Sequence, residues 1–148
     1  MIEKIKQILT KYREQLLYLI FGGLTTVVDW GVSFVLYYLW GAAIEETVYL
    51  IHVANVIAWM AAVIFAYVTN RRWVFASTRR GVAAITGEFF AFAGGRVTTL
   101  LLQEAMFWIF FDLLGINEYA VKLVAAVLVV IANYFISKLF VFRKKKPD

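Results

Sequence analysis

Apolar residues run along this chain in four long blocks, with the polar residues concentrated in the gaps between them. The blocks cover residues 16–39, 48–69, 89–111 and 119–139. A helix crosses a bilayer with about 20 mostly apolar residues, so each block predicts one membrane span. The gaps are short, which makes consecutive helices antiparallel neighbours. Ahead of the first block, Ile2, Ile5, Leu9, Tyr12 and Leu16 recur at helical spacing with lysines between them. Residues 1–15 read either as an amphipathic helix lying on the inner membrane surface or as a helical extension of the first span. The expected fold is an all-α integral membrane protein. Residues 1–148 form a single four-helix transmembrane domain that ends in a basic tail at 143–148.

Composition agrees with that pattern. The 148 residues are 63% hydrophobic, with a mean hydropathy of +0.77, more apolar surface than a soluble domain of this size can hide. Tyr37, Tyr38, Trp40, Tyr49, Trp73 and Tyr119 fall near predicted membrane borders, where amphipathic rings are favoured. The basic N-terminus resembles the start of a secretion signal, but the apolar run behind it is too long for one and reads as a retained first span.

Charge sets the expected orientation. Lys4, Lys6, Lys11 and Arg13 precede the first block, Arg71, Arg72, Arg79 and Arg80 fill the middle gap, and Lys138, Arg143, Lys144, Lys145 and Lys146 close the chain. The other two gaps hold Glu45, Glu46, Asp112 and Glu118, with Lys122 as the nearby basic residue. Basic residues stay on the cytoplasmic side, so both termini and the middle gap are expected there, in a multi-pass protein of the plasma or inner membrane. The net charge of +5 then reflects membrane orientation and attraction to anionic lipid, not nucleic-acid binding.

The chain contains itself twice. Gly22-Gly23-Leu24-Thr25-Thr26 returns as Gly94-Gly95-Arg96-Val97-Thr98-Thr99, and Asn70-Arg71-Arg72-Trp73-Val74-Phe75 returns as Ser137-Lys138-Leu139-Phe140-Val141-Phe142. Each half crosses the membrane twice, so the halves share one orientation, and such folds place their site between repeats. The glycines would let the first and third spans approach closely. Aligned on the paired threonines, Asp29 falls opposite Leu102.

Three charges interrupt the apolar blocks: Asp29, Arg96 and Glu104. Each costs roughly 2.5–3.5 kcal/mol near mid-bilayer on insertion scales. Gly22, Thr25, Thr26 and Asp29 share one helical face, as do Arg96, Thr99 and Gln103, with Glu104 a small rotation away. Asn55, Asn70, Asn133 and Tyr134 add polar groups on the other two spans. Two readings stand: a structural ion pair that fixes helix register, or a binding site for a polar or anionic headgroup, since arginine matches phosphate with a planar fork of donors. Asn70-Arg71 and Ser137-Lys138 are either inner-surface anchors or a means of capturing a lipid phosphate. The lone His52 reads as an interfacial side chain. With no cysteine, one histidine and no nucleotide-loop, zinc-protease or serine-hydrolase motif, no covalent chemistry, metal or cofactor is expected.

These residues together resemble the GtrA-like family of membrane proteins. Phe21-Gly22-Gly23 with Thr25-Thr26 and Asp29, the Asn70-to-Phe75 segment, Gly95-Arg96 and the Ser137-to-Phe142 segment carry the likeness. Ser137-Lys138 departs from it, standing where Asn-Arg is the sharper pattern. The resemblance implies a four-span, non-enzymatic protein of surface polysaccharide synthesis that flips a polyprenyl-phosphate-linked sugar, such as undecaprenyl-phosphate glucose, to the outer leaflet. On that reading Arg96 holds the phosphate, with Arg71 or Lys138 assisting at the entrance. The sugar faces Asp29, Gln103, Glu104, Asn70 and Asn133. One alternative is a non-transporting partner or anchor of a polyprenyl-phosphate glycosyltransferase. Another is a small proton-coupled multidrug exporter, which Arg96 disfavours because it repels cations. Four spans make a small conduit alone, which leaves room for a homodimer.

Overall fold

Long apolar runs free of internal proline satisfy their own backbone groups as helices, the form a bilayer demands. A computed structural model describes residues 1–47 and 49–144; Val48, where the second predicted span begins, and most of the basic tail, residues 145–148, lie outside the described residues. Five α-helices appear among the described residues: α1 (Ile2–Lys11), α2 (Arg13–Glu46), α3 (Tyr49–Thr69), α4 (Val82–Phe107) and α5 (Glu118–Ile136). No β-strand occurs among the described residues.

The exterior of these helices is greasy. Leu19, Val27, Trp30, Phe34, Leu101 and Leu123 are each more than half exposed, an arrangement that water opposes and hydrocarbon favours. The protein is an all-α integral membrane protein. Arg13–Gly41, Tyr49–Val74 and Glu118–Val141 are long and apolar enough to cross a bilayer. α4 has 26 residues, enough length for a span, but Arg96, Gln103 and Glu104 lower the apolarity of its second half.

α1 and α2 are separate helices. Tyr12 leaves helical geometry at φ −106° and ψ 18°, although its N–H still reaches Ile8 O at 3.0 Å. No residue of α1 is buried, so its apolar stripe is unsupported by the rest of its unit.

The chain divides into two compact units, residues 1–76 and 77–148. In unit 1, α2 packs on α3; in unit 2, α4 packs on α5. The second helix of each unit presents a buried ridge at every fourth residue. In unit 1 this runs Ala54, Ala58, Ala62, Ala66, Asn70 and Val74; in unit 2 Val121, Ala125, Asn133, Ser137 and Val141 hold the same places. Small side chains on such a ridge let the partner helix come close. A fourth-residue ridge on an α-helix drifts by about 40° per step. Both helices meet this drift with a wider turn: Asn70–Val74 and Ser137–Val141 are π-helical. Phe75 N bonds Asn70 O at 2.9 Å, and Phe142 N bonds Ser137 O at 2.8 Å.

Those turns deliver an aromatic ring onto the first helix of each unit. Phe75 meets Tyr18 with centroids 6.3 Å apart and planes tilted 57°. Phe142 meets Phe92 at 5.9 Å and 54°. Phe75 and Phe142 are repeat equivalents, so Tyr18 corresponds to Phe92. That register sets Glu14 opposite Glu88, Gly22 opposite Arg96, Thr25 opposite Thr99, and Asp29 opposite Gln103. It lies one residue from the alignment on paired threonines, which placed Asp29 opposite Leu102.

Within each unit the glycines differ in what surrounds them. A Cβ at Gly22, Gly23 or Gly94 would meet nothing within 4 Å, whereas one at Gly95 would stand 2.8 Å from Ile136 Cγ2. The close approach that needs glycine is between α4 and α5.

Candidate functional site

Arg96 sits near the middle of α4, where either end of the helix is several turns away. It is half-buried, and its guanidinium lies 5.0 Å from the Phe92 ring centre, one turn earlier. A ring face stabilises a cation by about 0.5–2 kcal/mol, less than the cost of holding one in hydrocarbon. Within unit 2, Arg96 and Glu104 make no ion pair; at 1.5 Å per residue they lie ~12 Å apart along the helix.

Beside Arg96, α4 and α5 share a polar bridge. Thr99, fully buried, donates its hydroxyl to Asn133 Oδ1 at 2.8 Å. Its own-helix carbonyls, Arg96 O at 3.0 Å and Gly95 O at 3.2 Å, are secondary acceptors. Asn133 occupies the ridge place that Ala66 holds in unit 1, so this bridge belongs to unit 2 alone. Gln103, half-buried, continues the Arg96–Thr99 face one turn on. Glu104 is exposed, turned off that face. Lys138 is exposed, with Nζ 3.2 Å from Tyr134 Oη and 5.5 Å from the centre of that ring.

In unit 1, Asp29 is half-buried in the middle of α2. Asn70 is 1% exposed and donates Nδ2 to Ala66 O at 2.6 Å. Its Oδ1 is buried without a hydrogen-bond partner among the described residues, as is Gln15 Oε1. A buried acceptor left without a donor costs about 1–3 kcal/mol, so both positions favour a hydroxyl or amine donor. Arg71 follows on the π turn, half-buried. Trp73 stacks on Phe21 at 5.5 Å and 15°, and Arg72 lies over Trp73 at 5.2 Å. Much of the Asn-Arg-Arg-Trp-Val-Phe motif therefore locks α3 to α2. Higher in the unit, Tyr37 Oη donates to Asn55 Oδ1, which accounts for one further intramembrane asparagine.

In unit 2, Arg96, Thr99 and Gln103 thus share one face of α4, and Thr99 joins it to Asn133 of α5; in unit 1, Asn70 and Arg71 are neighbours on the π turn. Glu104 and Lys138 stand apart from the first group.

One buried charge escaped the sequence reading. Glu88 lies just before the third apolar block and is 0% exposed. Ser77 Oγ donates to it at 2.7 Å, and Arg79 Nε approaches it at 3.8 Å. The usable signal was a carboxylate four residues before Phe92 with arginines upstream. Glu88 anchors the connection between units to the start of α4. Above it, a cavity of about 580 Å³ opens among that connection, the first turn of α4 and the chain leaving α5. At the other end of unit 2, a cavity of about 230 Å³ is lined by apolar side chains, Met106, Phe110 and Val124 among them.

Compared with known proteins, residues 17–142 match the family model described as GtrA/DPMS, transmembrane domain. The chain is 32% identical over 149 residues to the cell wall teichoic acid glycosylation protein GtcA of Listeria monocytogenes serovar 1/2a, covering 98% of this chain and 95% of that protein. It is 34% identical over 131 residues to GtcA of Listeria innocua, covering 88% and 86%. It is 30% identical over 132 residues to the membrane protein YwcD of Bacillus subtilis, covering 89% and 98%. No solved structure matches the chain significantly.

Proposed function

The chain belongs to the GtrA/DPMS transmembrane-domain family, and on that footing we propose that it flips a polyprenyl-phosphate-linked sugar from the cytoplasmic to the outer leaflet of the cell membrane. The sugar then serves the glycosylation of a teichoic acid or another surface polymer, the process that the Listeria relatives are named for.

Arg96 carries this reading. An arginine at mid-helix in a membrane protein needs an anion, and none of the described carboxylates of unit 2 pairs with it. A lipid phosphate supplies that anion, with bidentate geometry that suits guanidinium. Thr99, Asn133 and Gln103 line the route beside it with hydroxyl and amide groups fit for a sugar. Within unit 1, Asn70 Oδ1, without a hydrogen-bond partner among the described residues, and Asp29 offer acceptors of the kind a sugar hydroxyl uses. Replacing the headgroup's water contacts in this way lowers its barrier to crossing hydrocarbon. The polyprenyl tail stays in lipid, and no covalent bond is made or broken. A homodimer would widen the conduit.

The deciding experiment reconstitutes the chain in sealed vesicles with a polyprenyl-phosphate sugar in both leaflets and removes the outer pool with an impermeant reagent. Protein-dependent access to the inner pool supports flipping. No exchange, combined with stable binding to a polyprenyl-phosphate glycosyltransferase, favours the anchoring role.

A further inference from the structure

The 580 Å³ cavity of unit 2 is the least explained feature of the chain. Its walls are Ser77, Thr78, Arg79, Arg80, Ala84, Phe142, Arg143 and Lys144. Four cations meet there, and no carboxylate among the described residues lines the cavity. Glu88, which contacts Ser77 and Arg79 of the cavity wall, is buried and already engaged by them. Arg80, Arg143 and Lys144 have no ion-pair or hydrogen-bond partner among the described residues. Phe142, 4% exposed, gives the cavity a firm wall by packing on Phe92.

The backbone adds to the positive field. Gly81, whose φ of 92° is left-handed, immediately precedes α4, and no side chain caps the helix. The first intrahelical bond runs from Ile85 N to Gly81 O at 3.0 Å, so the N–H groups of Val82, Ala83 and Ala84 have no helical acceptor. Ala84 is itself on the cavity wall. Cations with no partner among the described residues, around a concave space closed by open N–H groups, suit a compact oxyanion.

We propose that this cavity is a second anion site, built to hold a phosphate ester through Arg80, Arg143, Lys144 and the first turn of α4. Glu88 takes no part in binding; it fixes the connecting segment through Ser77 and offsets Arg79, so the three remaining cations are left to the ligand. The site lies about 20 Å along α4 from Arg96, at 1.5 Å per residue. It stands or falls independently of any phosphate held at Arg96. The same chemistry serves a lipid phosphate at the membrane surface and a soluble phosphate ester.

The test uses the full chain in maltoside micelles, with Arg96→Gln as the background so that the proposed transport site is removed. Dodecyl phosphate is the lipid-like probe; inorganic phosphate and dodecanol are its competitors. The background variant binds dodecyl phosphate, and adding Arg80→Gln, Arg143→Gln and Lys144→Gln weakens binding at least about tenfold, or 1.4 kcal/mol. Ala84→Glu is the second variant. A carboxylate at the third position of α4 favours the helix N-terminus yet repels the ligand, so it loses binding without losing thermal stability. Resistance to inorganic phosphate assigns the site to a lipid head; competition at similar concentrations assigns it to a soluble ester. Absent binding in the background variant overturns the proposal. So does undiminished binding after either change, or an equal loss from Lys4→Gln, Lys6→Gln and Lys11→Gln, which would mean diffuse surface charge.

Discussion

Thr99 on α4 and Asn133 on α5 form a buried hydrogen bond of 2.8 Å, and the corresponding places in unit 1 are Thr25 and Ala66. Thr25 turns its hydroxyl back to Phe21 O at 2.7 Å. The duplicated scaffold has thus been given a polar bridge in one copy only, beside Arg96. Hydrogen bonds between membrane helices average about 0.6 kcal/mol and reach about 1.7. Asn133→Ala and Thr99→Val should each lower stability within that range, and the double variant should lose less than their sum. Thermal unfolding in detergent measures this; strictly additive losses would show that the two side chains do not act as a pair.

Gly95 should be the sensitive glycine. An added Cβ stands 2.8 Å from Ile136 Cγ2, so Gly95→Leu should cost about 1–3 kcal/mol by overpacking. Shortening the neighbour with Ile136→Ala should recover part of that. Gly22→Ala and Gly94→Ala have open space around them and should be neutral or mildly stabilising, because alanine favours a helix over glycine by about 1 kcal/mol. Equal losses at all three positions in a melting assay would contradict the packing described.

The repeat and the greasy helices were legible in the sequence because apolarity and the aromatic-Val-Phe endings are local signals. The π turns were not. They differ from α-helix by one hydrogen-bond step, and the ridge packing at Ala66–Val74 and Asn133–Val141 selects them. The register of the first helices was misread for a related reason: adjacent threonines offer two alignments, and only the Tyr18–Phe75 and Phe92–Phe142 ring pairs decide between them. Arg96 and Asn133 were visible as polar residues in apolar runs. Glu88 was not, since a glutamate at the edge of an apolar block looks like a solvated flank until the chain folds Ser77 and Arg79 back over it.

Arg96 should tolerate replacement structurally. It has a ring contact with Phe92 and no carboxylate partner among the described residues of its unit, so Arg96→Ala should insert and fold while abolishing leaflet exchange. Arg96→Lys keeps the charge but loses the planar fork and should retain partial exchange. Normal exchange by Arg96→Ala would remove Arg96 from the transport route, and failure to fold would make it a structural residue.

Orientation can be read with single cysteines in a chain that has none of its own. Thr78 is exposed and suits the basic connection better than Ser77, whose hydroxyl serves Glu88. Leu114 suits the far end better than Asn117, whose Oδ1 caps α5 through Tyr119 N and Ala120 N. Glu46→Cys and Leu114→Cys should react with an impermeant maleimide in intact cells, and Thr78→Cys only after permeabilisation. The reverse pattern would invert the topology and place the basic cavity outside.

Asp29 gives the sharpest test of how the route treats charge. The ring-pair register sets it opposite Gln103, so the two units carry a carboxylate and an amide at one structural position. Both accept hydrogen bonds; only the carboxylate carries charge or a proton. If hydrogen bonding to a sugar is the shared requirement, Asp29→Asn should fold and keep exchange within about threefold, well under 1 kcal/mol of barrier. Asp29→Leu, which removes the acceptor, should then slow exchange at least about tenfold. If Asp29 instead moves a proton with the lipid, Asp29→Asn should be as poor as Asp29→Leu, and wild-type exchange should accelerate under an imposed pH gradient. Measuring both variants in sealed vesicles, with and without that gradient, separates the two. Full exchange by Asp29→Leu would take the residue out of the route altogether.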